Sequence, residues 1–328
     1  MPWILFFLAS VVVVVAAIKL AEYGDVISIR TGLGGMFIGL ILMAGATSLP
    51  ELLTTINAIN QNIPDLAAGN MFGSNMFNML LLGAIDLMYL RTRILRKVAR
   101  RHALSGSFAV FLIVLATFFV LADIDIRIGW IGLDSILLMT VYVMGLRIIR
   151  SSTMPVSTEE PEEISDSVPS LKHGLIGFSA ATLALVAIMP LLVSSSNDIA
   201  EITGLGAGFI GTALVAIVTS LPELVTTITA VRLKVYDMAI GNLFGSIMFN
   251  IFILGLSDIF MLDGRFMGVI SDDFVLVGLI GLIMTVMALI SNLAKLERKI
   301  WIIEIDAFII VATYFLGMWF IFQRGLGI

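Results

Sequence analysis

The sequence predicts an all-α integral membrane protein. Ten transmembrane helices are expected, as two five-helix repeats of inverted topology with both termini outside (N-out/C-out). Three observations carry that expectation. The 328 residues are 59% hydrophobic and only 13% charged, with mean hydropathy +1.07, whereas a soluble domain carries roughly 25% charged residues. Ten stretches of about 20 apolar residues follow one another, each long enough to cross the hydrocarbon core of a bilayer. The last five stretches repeat the first five at a fixed offset of 172 residues.

In order, the predicted spans are 3–21, 32–59, 66–89, 103–122 and 128–148, then 172–194, 204–231, 238–261, 273–294 and 301–322. The first lacks the basic leader of a secretory signal and has the length of a spanning helix; a cleaved signal is the alternative reading. Its VVVVV at 11–15 is a lipid-compatible surface without specific chemistry. The second span holds TSLPELLTTINA, starting at Thr47, and the third holds GNMFGSNMFN at 69–78. Asp134 opens the fifth span, where a carboxylate favours the helix N-terminus. Next comes SSTMPVSTEEPEEISDSVPS, the one clear linker, whose Glu159, Glu160, Glu162, Glu163 and Asp166 read as a solvated connection. The chain is therefore expected to divide into a first repeat at 1–150, a cytoplasmic linker at 151–171 and a second repeat at 172–328.

The seventh span carries TSLPELVTTITA from Thr219, identical to the first copy at ten of twelve positions. The eighth carries GNLFGSIMFN at 241–250, identical at eight of ten. The offset also pairs Gly34 with Gly206, Ala44 with Ala216, Asp65 with Asp237, Asp86 with Asp258 and Asp134 with Asp306. Chance likeness between apolar helices does not preserve polar and glycine positions at one spacing. Five is odd, so the second repeat must enter the membrane facing the other way, as in many secondary transporters. Charge gives an independent test. With the N-terminus outside, 16 of the 19 Lys and Arg fall on the cytoplasmic side, including the run 91–101; Arg127, Arg265 and Arg324 fall outside. That run reads as an orientation signal rather than a nucleic-acid surface. His102 and His173 are expected to be solvated at cytoplasmic span boundaries.

Glu51 and Glu223 are ionisable residues in mid-span, where such groups are costly and face a partner or cavity. Thr47 and Ser48 precede Glu51 by four and three positions, so all three share a helix face; Thr219, Ser220 and Glu223 do the same. Asn70, Ser74 and Asn78 form a second polar stripe, repeated as Asn242, Ser246 and Asn250. Pro50 and Pro222 lack the N–H that would bond the carbonyls of Ala46 and Val218, which are expected to be freed at a kink. The inventory is carboxylate, carbonyl, hydroxyl and amide oxygen. With no cysteine and two histidines in the chain, thiolate and imidazole chemistry falls away. Hard oxygen donors suit Ca²⁺ and alkali cations, and two carboxylates balance one Ca²⁺ or two Na⁺. The glycines of Gly69–Gly73 and Gly241–Gly245, with Thr54, Thr55, Thr226 and Thr227, read more simply as helix-packing residues. Asp86 and Asp258 read as interfacial, with ion exit as the competing role.

The paired TSLPE and GNMFGS/GNLFGS segments resemble the alpha-1 and alpha-2 repeats of the Ca²⁺/cation antiporter superfamily, nearest to the short prokaryotic Na⁺/Ca²⁺ exchangers. The resemblance spans essentially the whole chain. It implies exchange of several Na⁺ for one Ca²⁺ by alternating access, with the first and sixth helices sliding past the rest. The implied Ca²⁺ site comprises Thr47, Glu51, Thr219 and Glu223. The implied Na⁺ sites comprise Ala44, Thr47, Ser48, Glu51, Ser74 and Asn78 with Ala216, Thr219, Ser220, Glu223, Ser246 and Asn250. No cofactor and no obligatory protein partner are expected. The chain departs from the family pattern at Ala46 and Val218, where the pattern has Gly, at Ile247, where it has Asn, and at Asn250, where several relatives have Asp. An H⁺/Ca²⁺ or K⁺-dependent exchanger of the same fold is the alternative. An intramembrane enzyme is more remote, because no paired Asp, Ser/His pair or His cluster lies at membrane depth, and so is a channel, which has no need of an inverted repeat.

Overall fold

The computed structural model describes residues 2–89, 94–152, 168–203, 215–262, 264–294, 299–300 and 303–323. Within them the first repeat begins with α1 (Pro2–Thr31), a 30-residue helix longer than its predicted span. The second span is not one helix. It runs through α2 (Gly35–Phe37), a π-helical segment (Ile38–Met43), α3 (Ala44–Thr47) and, after a break at Ser48, α4 (Leu49–Asn60). Then come α5 (Pro64–Met88), α6 (Ile94–Ala122), a two-stranded hairpin β1 (Arg127–Ile128) and β2 (Ile131–Gly132), and α7 (Leu133–Ser152).

The second repeat follows the same plan. It holds α8 (Leu171–Thr203), α9 (Ala216–Thr219), α10 (Leu221–Arg232), α11 (Tyr236–Phe260), α12 (Phe266–Val269), α13 (Phe274–Ala294), a hairpin β3 (Lys299–Ile300) and β4 (Ile303–Glu304), and α14 (Ile305–Gln323). The halves differ at one helix, since α6 is continuous while its counterpart at the 172-residue offset is split into α12 and α13, but they agree in a turn. Asn62 and Lys234, 172 residues apart, both take positive φ (58° and 66°) in the turn before the next long helix. Gly206, the acidic part of the linker, Lys295, Arg298, Arg324 and the side chains of the basic run 91–100 lie outside the described residues.

Among the described residues, eight helices are long and apolar enough to cross a membrane. The predicted fifth and seventh spans are the two not among them. α7 carries Asp134 near its start and Arg147 and Arg150 near its end, which lowers its hydropathy. The first part of the seventh, 204–214, lies outside the described residues.

Burial sorts the helices into layers. In α5 and α11, 78% and 72% of the most apolar window is buried, against 33% in α1 and 22% in the first 25 residues of α8. α5 and α11 are lined with Gly, Ala, Ser and Asn, which let backbones approach and let polar groups find partners away from lipid. α1 and α8 pack along one another at the outside and expose Trp3, Phe7, Leu8, Leu175, Ile176 and Leu183.

The contact between the π-helical segment and α11 is unusually close. A Cβ on Gly39 would lie 2.3 Å from the Met238 carbonyl oxygen, and one on Gly245 would lie 2.4 Å from the Leu40 carbonyl oxygen. Both positions therefore require glycine.

Two polar clusters tie the ends of the bundle. Arg265, 2% exposed, pairs with Asp134 and Asp123, with Asp125 at 3.9 Å. Beside it Asp258 accepts the backbone N–H of Gly132 (2.7 Å) and of Phe266. Asp134 also accepts the N–H of Ser135 at 2.8 Å, and Asp306 that of Ala307 at 3.0 Å, so both act at their helix N-termini as expected. At the far end His102 departs from expectation. It is fully buried, with Nε2 3.3 Å from Asp237, and stacks on Phe244, while Arg101 donates to the same carboxylate at 2.8 Å. The half-buried Asp237 carboxylate gives the buried imidazole a partner, which a reading of span boundaries does not reveal. His173 is exposed, as expected.

Candidate cation site

The break at Ser48 is the local feature that builds the site. Ser48 has φ −92° and ψ 6°, outside the helical range, and Ser220 repeats this at −86° and 9°. The sequence predicts a proline kink inside a continuous helix. Instead the helix ends and restarts, and Pro50 and Pro222 fall in the first turn of α4 and α10. There a missing N–H costs little, because the first N–H groups of a helix have no partner anyway. The Ser48 N–H still bonds the Ala44 carbonyl (3.0 Å), and Leu52 bonds that of Ser48 (3.2 Å), but Pro50 has no hydrogen for Ala46.

Both glutamates lie in the first turn of their restarted helices, where the helix dipole favours negative charge. Both are fully buried, as are Thr47, Ser48, Thr219, Ser220, Ser74 and Ser246. Their hydrogen bonds cross between the repeats. Ser48 donates to Glu223 Oε1 at 2.9 Å, and Ser220 donates to Glu51 Oε1 at 3.1 Å. Ser220 also lies 3.1 Å from Ser74 Oγ, and Ser246 donates to Glu223 Oε1 at 3.4 Å. The threonines cross as well. Thr47 lies 3.4 Å from Asn242 Oδ1, and Thr219 donates to Asn70 Oδ1 at 3.0 Å. Thr47 further donates to the Met43 carbonyl (2.9 Å) and lies 3.4 Å from that of Ala44; Thr219 lies 3.3 Å from the Ala216 carbonyl.

What remains unpaired is as informative. Glu51 Oε2, Glu223 Oε2, Asn78 Oδ1 and Asn250 Oδ1 are buried oxygens with no hydrogen-bond partner among the described residues. A buried polar atom left unmatched costs about 1–3 kcal/mol. Four acceptors left without donors form an environment that suits a cation. Among the described residues no group of three or more His, Cys, Asp or Glu is gathered, so the negative charge here rests on two carboxylates.

All twelve residues implied by the resemblance lie on the interrupted second and seventh spans or on α5 and α11. One contributor escapes the sequence reading. Asn75 accepts a hydrogen bond from Asn250 Nδ2 at 3.0 Å. Its counterpart at the 172-residue offset is Ile247, so a search for repeated polar positions passes over it. Its place one residue after Ser74 is the signal that was available.

The sequence profile described as "Sodium/calcium exchanger protein" matches residues 1–149 and 173–323. The chain belongs to that family. It is 27% identical over 313 residues to the putative antiporter CaxA of Alkalimonas amylolytica, covering 93% of this chain and 96% of that protein. It is 28% identical over 299 residues to the sodium/calcium exchanger MaX1 of Methanosarcina acetivorans, covering 77% of this chain and 83% of that one. In fold it is similar to the sodium-calcium exchanger NCX_Mj soaked with 10 mM Na⁺ and zero Ca²⁺, with TM-score 0.71 at 21% identity over 97% of each chain. This family member is a multi-pass integral membrane protein of the Ca²⁺/cation antiporter superfamily, a transporter and not an enzyme.

Proposed function

We propose that this exchanger moves Na⁺ against Ca²⁺ by alternating access through one central site. The observation that carries the reading is the pair of fully buried glutamates. Each has one oxygen held by the opposite repeat's serine and the other without a partner among the described residues. Ca²⁺ would be held by Glu51, Glu223, Thr47 and Thr219. Na⁺ ions would share those groups with Ser48, Ser74, Asn78, Ser220, Ser246, Asn250 and the carbonyls of Ala44 and Ala216. Two carboxylates balance one Ca²⁺ or two Na⁺, so either load can occupy the same charge environment, which is the electrostatic basis of exchange. The 172-residue repeat and the distribution of Lys and Arg support ten spans in two inverted halves, 1–150 and 172–328, around a cytoplasmic linker, with both termini outside.

The test is Ca²⁺ flux in proteoliposomes with imposed gradients. An outward Na⁺ gradient is expected to drive Ca²⁺ uptake, and Glu51→Gln or Glu223→Gln to abolish it while the protein still folds. Uptake that follows a pH gradient and ignores Na⁺ would replace this reading with a proton-coupled exchanger. A requirement for K⁺ would replace it with a K⁺-dependent one.

A further inference from the structure

Thr54 and Thr55 in α4, and Thr226 and Thr227 in α10, read from sequence as packing residues. Their hydrogen bonds differ between the repeats although their identities do not. In the first repeat, Asn70 accepts from Thr219, and its Nδ2 donates directly to the Glu51 carbonyl at 3.3 Å. The Thr55 hydroxyl is buried without a partner among the described residues. In the second repeat, Asn242 Oδ1 lies 3.4 Å from Thr47, but its Nδ2 donates to the hydroxyls of Thr226 (3.0 Å) and Thr227 (3.2 Å). The Thr226 hydroxyl then bonds the carbonyls of Pro222 (2.7 Å) and Glu223 (3.1 Å). One half joins its asparagine to the glutamate backbone directly, while the other interposes a hydroxyl.

Asn70, Glu51, Thr54 and Thr55 have the same identities as Asn242, Glu223, Thr226 and Thr227. The asymmetry is therefore one of arrangement. Two halves of one sequence in two arrangements imply a second state with a similar set of bonds, reached by exchanging the arrangements. We propose that Thr54 and Thr226 are positioning residues that take turns as the bridging hydroxyl. In the exchanged state Asn70 donates to Thr54 and Thr55, and Asn242 donates to the Glu223 carbonyl. Each glutamate-bearing helix is thereby held at one of two settings against α5 or α11. This inference rests on the alternating-access reading of the same site.

Thr54→Val and Thr226→Val delete the hydroxyls and keep the side-chain shape. Thr226→Val removes the bridge present in this arrangement and shifts the population toward the exchanged one; Thr54→Val does the reverse. In proteoliposomes assayed from each face, the two variants are expected to move apparent Ca²⁺ affinity in opposite directions at a given face. The size expected is about three- to tenfold, the effect of one net hydrogen bond. Thr54→Ser and Thr226→Ser should restore wild-type values. Amide hydrogen exchange of 49–60 and 221–232 should also shift in opposite senses, and Thr→Ala supplies a second pair if valine is not accommodated. Shifts in the same sense, or none, would overturn the inference. Absence of Na⁺–Ca²⁺ counterflow in the wild-type protein would instead overturn the proposed function, and hydrogen exchange would still report whether two arrangements exist.

Discussion

The serines at the helix breaks are small residues with a disproportionate task. Ser48 and Ser220 each donate to the glutamate of the other repeat, and a hydrogen bond to a charged acceptor contributes about 1.5–3 kcal/mol. Ser48→Ala and Ser220→Ala should each weaken Ca²⁺ binding by about tenfold or more without abolishing transport; calorimetry on the purified protein checks this. Arg265 supports a prediction of another kind. Removing its side chain leaves Asp134 buried and uncompensated, and breaking such a pair costs about 3–5 kcal/mol. Arg265→Ala should lower thermal stability in detergent far more than it changes ion affinity. The two sites were unequally legible. Spacing along a helix placed Thr47, Ser48 and Glu51 on one face, because that geometry is local. It did not show which helix that face meets. The Arg265 cluster joins residues 131 and 142 positions apart, and the contact of buried His102 with Asp237 is similarly long-range, so both stayed invisible in sequence.

At the scale of the element, the interrupted helix is the informative unit. Its proline was visible in the sequence, and its consequence was half-legible. A kink and a clean break both deny the Ala46 carbonyl a bond from residue 50, but only the backbone angles at Ser48 show that the helix restarts. The π-helical segment at Ile38–Met43 carries no sequence signature, since the pattern IGLILM suits an ordinary helix equally well. Its packing does leave a trace in the glycines that face it. Gly245→Ala would push a methyl group to within 2.4 Å of the Leu40 carbonyl oxygen. Overpacking of this kind costs about 1–3 kcal/mol. Because the displaced backbone leads into Ala44 and Thr47, Gly245→Ala should reduce both thermal stability and Ca²⁺ flux. A variant that loses neither would show that the π-helical segment yields easily.

For the whole molecule, the repeat was legible because polar residues in apolar helices stand out, and an offset shared by many of them has one simple cause. Orientation rests on charge, which yields a direct expectation. Epitope tags at both termini should be reached by antibody from outside intact cells, and a protease site in the 151–171 linker only after the membrane is opened. A tag found inside would reverse the assignment. The crossed bonds between the repeats also bear on how the protein is made. Ser220 follows Glu51 by 169 residues, and at about 5–20 residues per second the ribosome needs roughly 10–30 seconds to reach it. For that interval the first carboxylate is already in the nascent chain while the hydroxyl that will hold it does not yet exist. Shelter for Glu51 must then come from the insertion machinery or from water at its edge, so the order of synthesis leaves the first repeat waiting for the second.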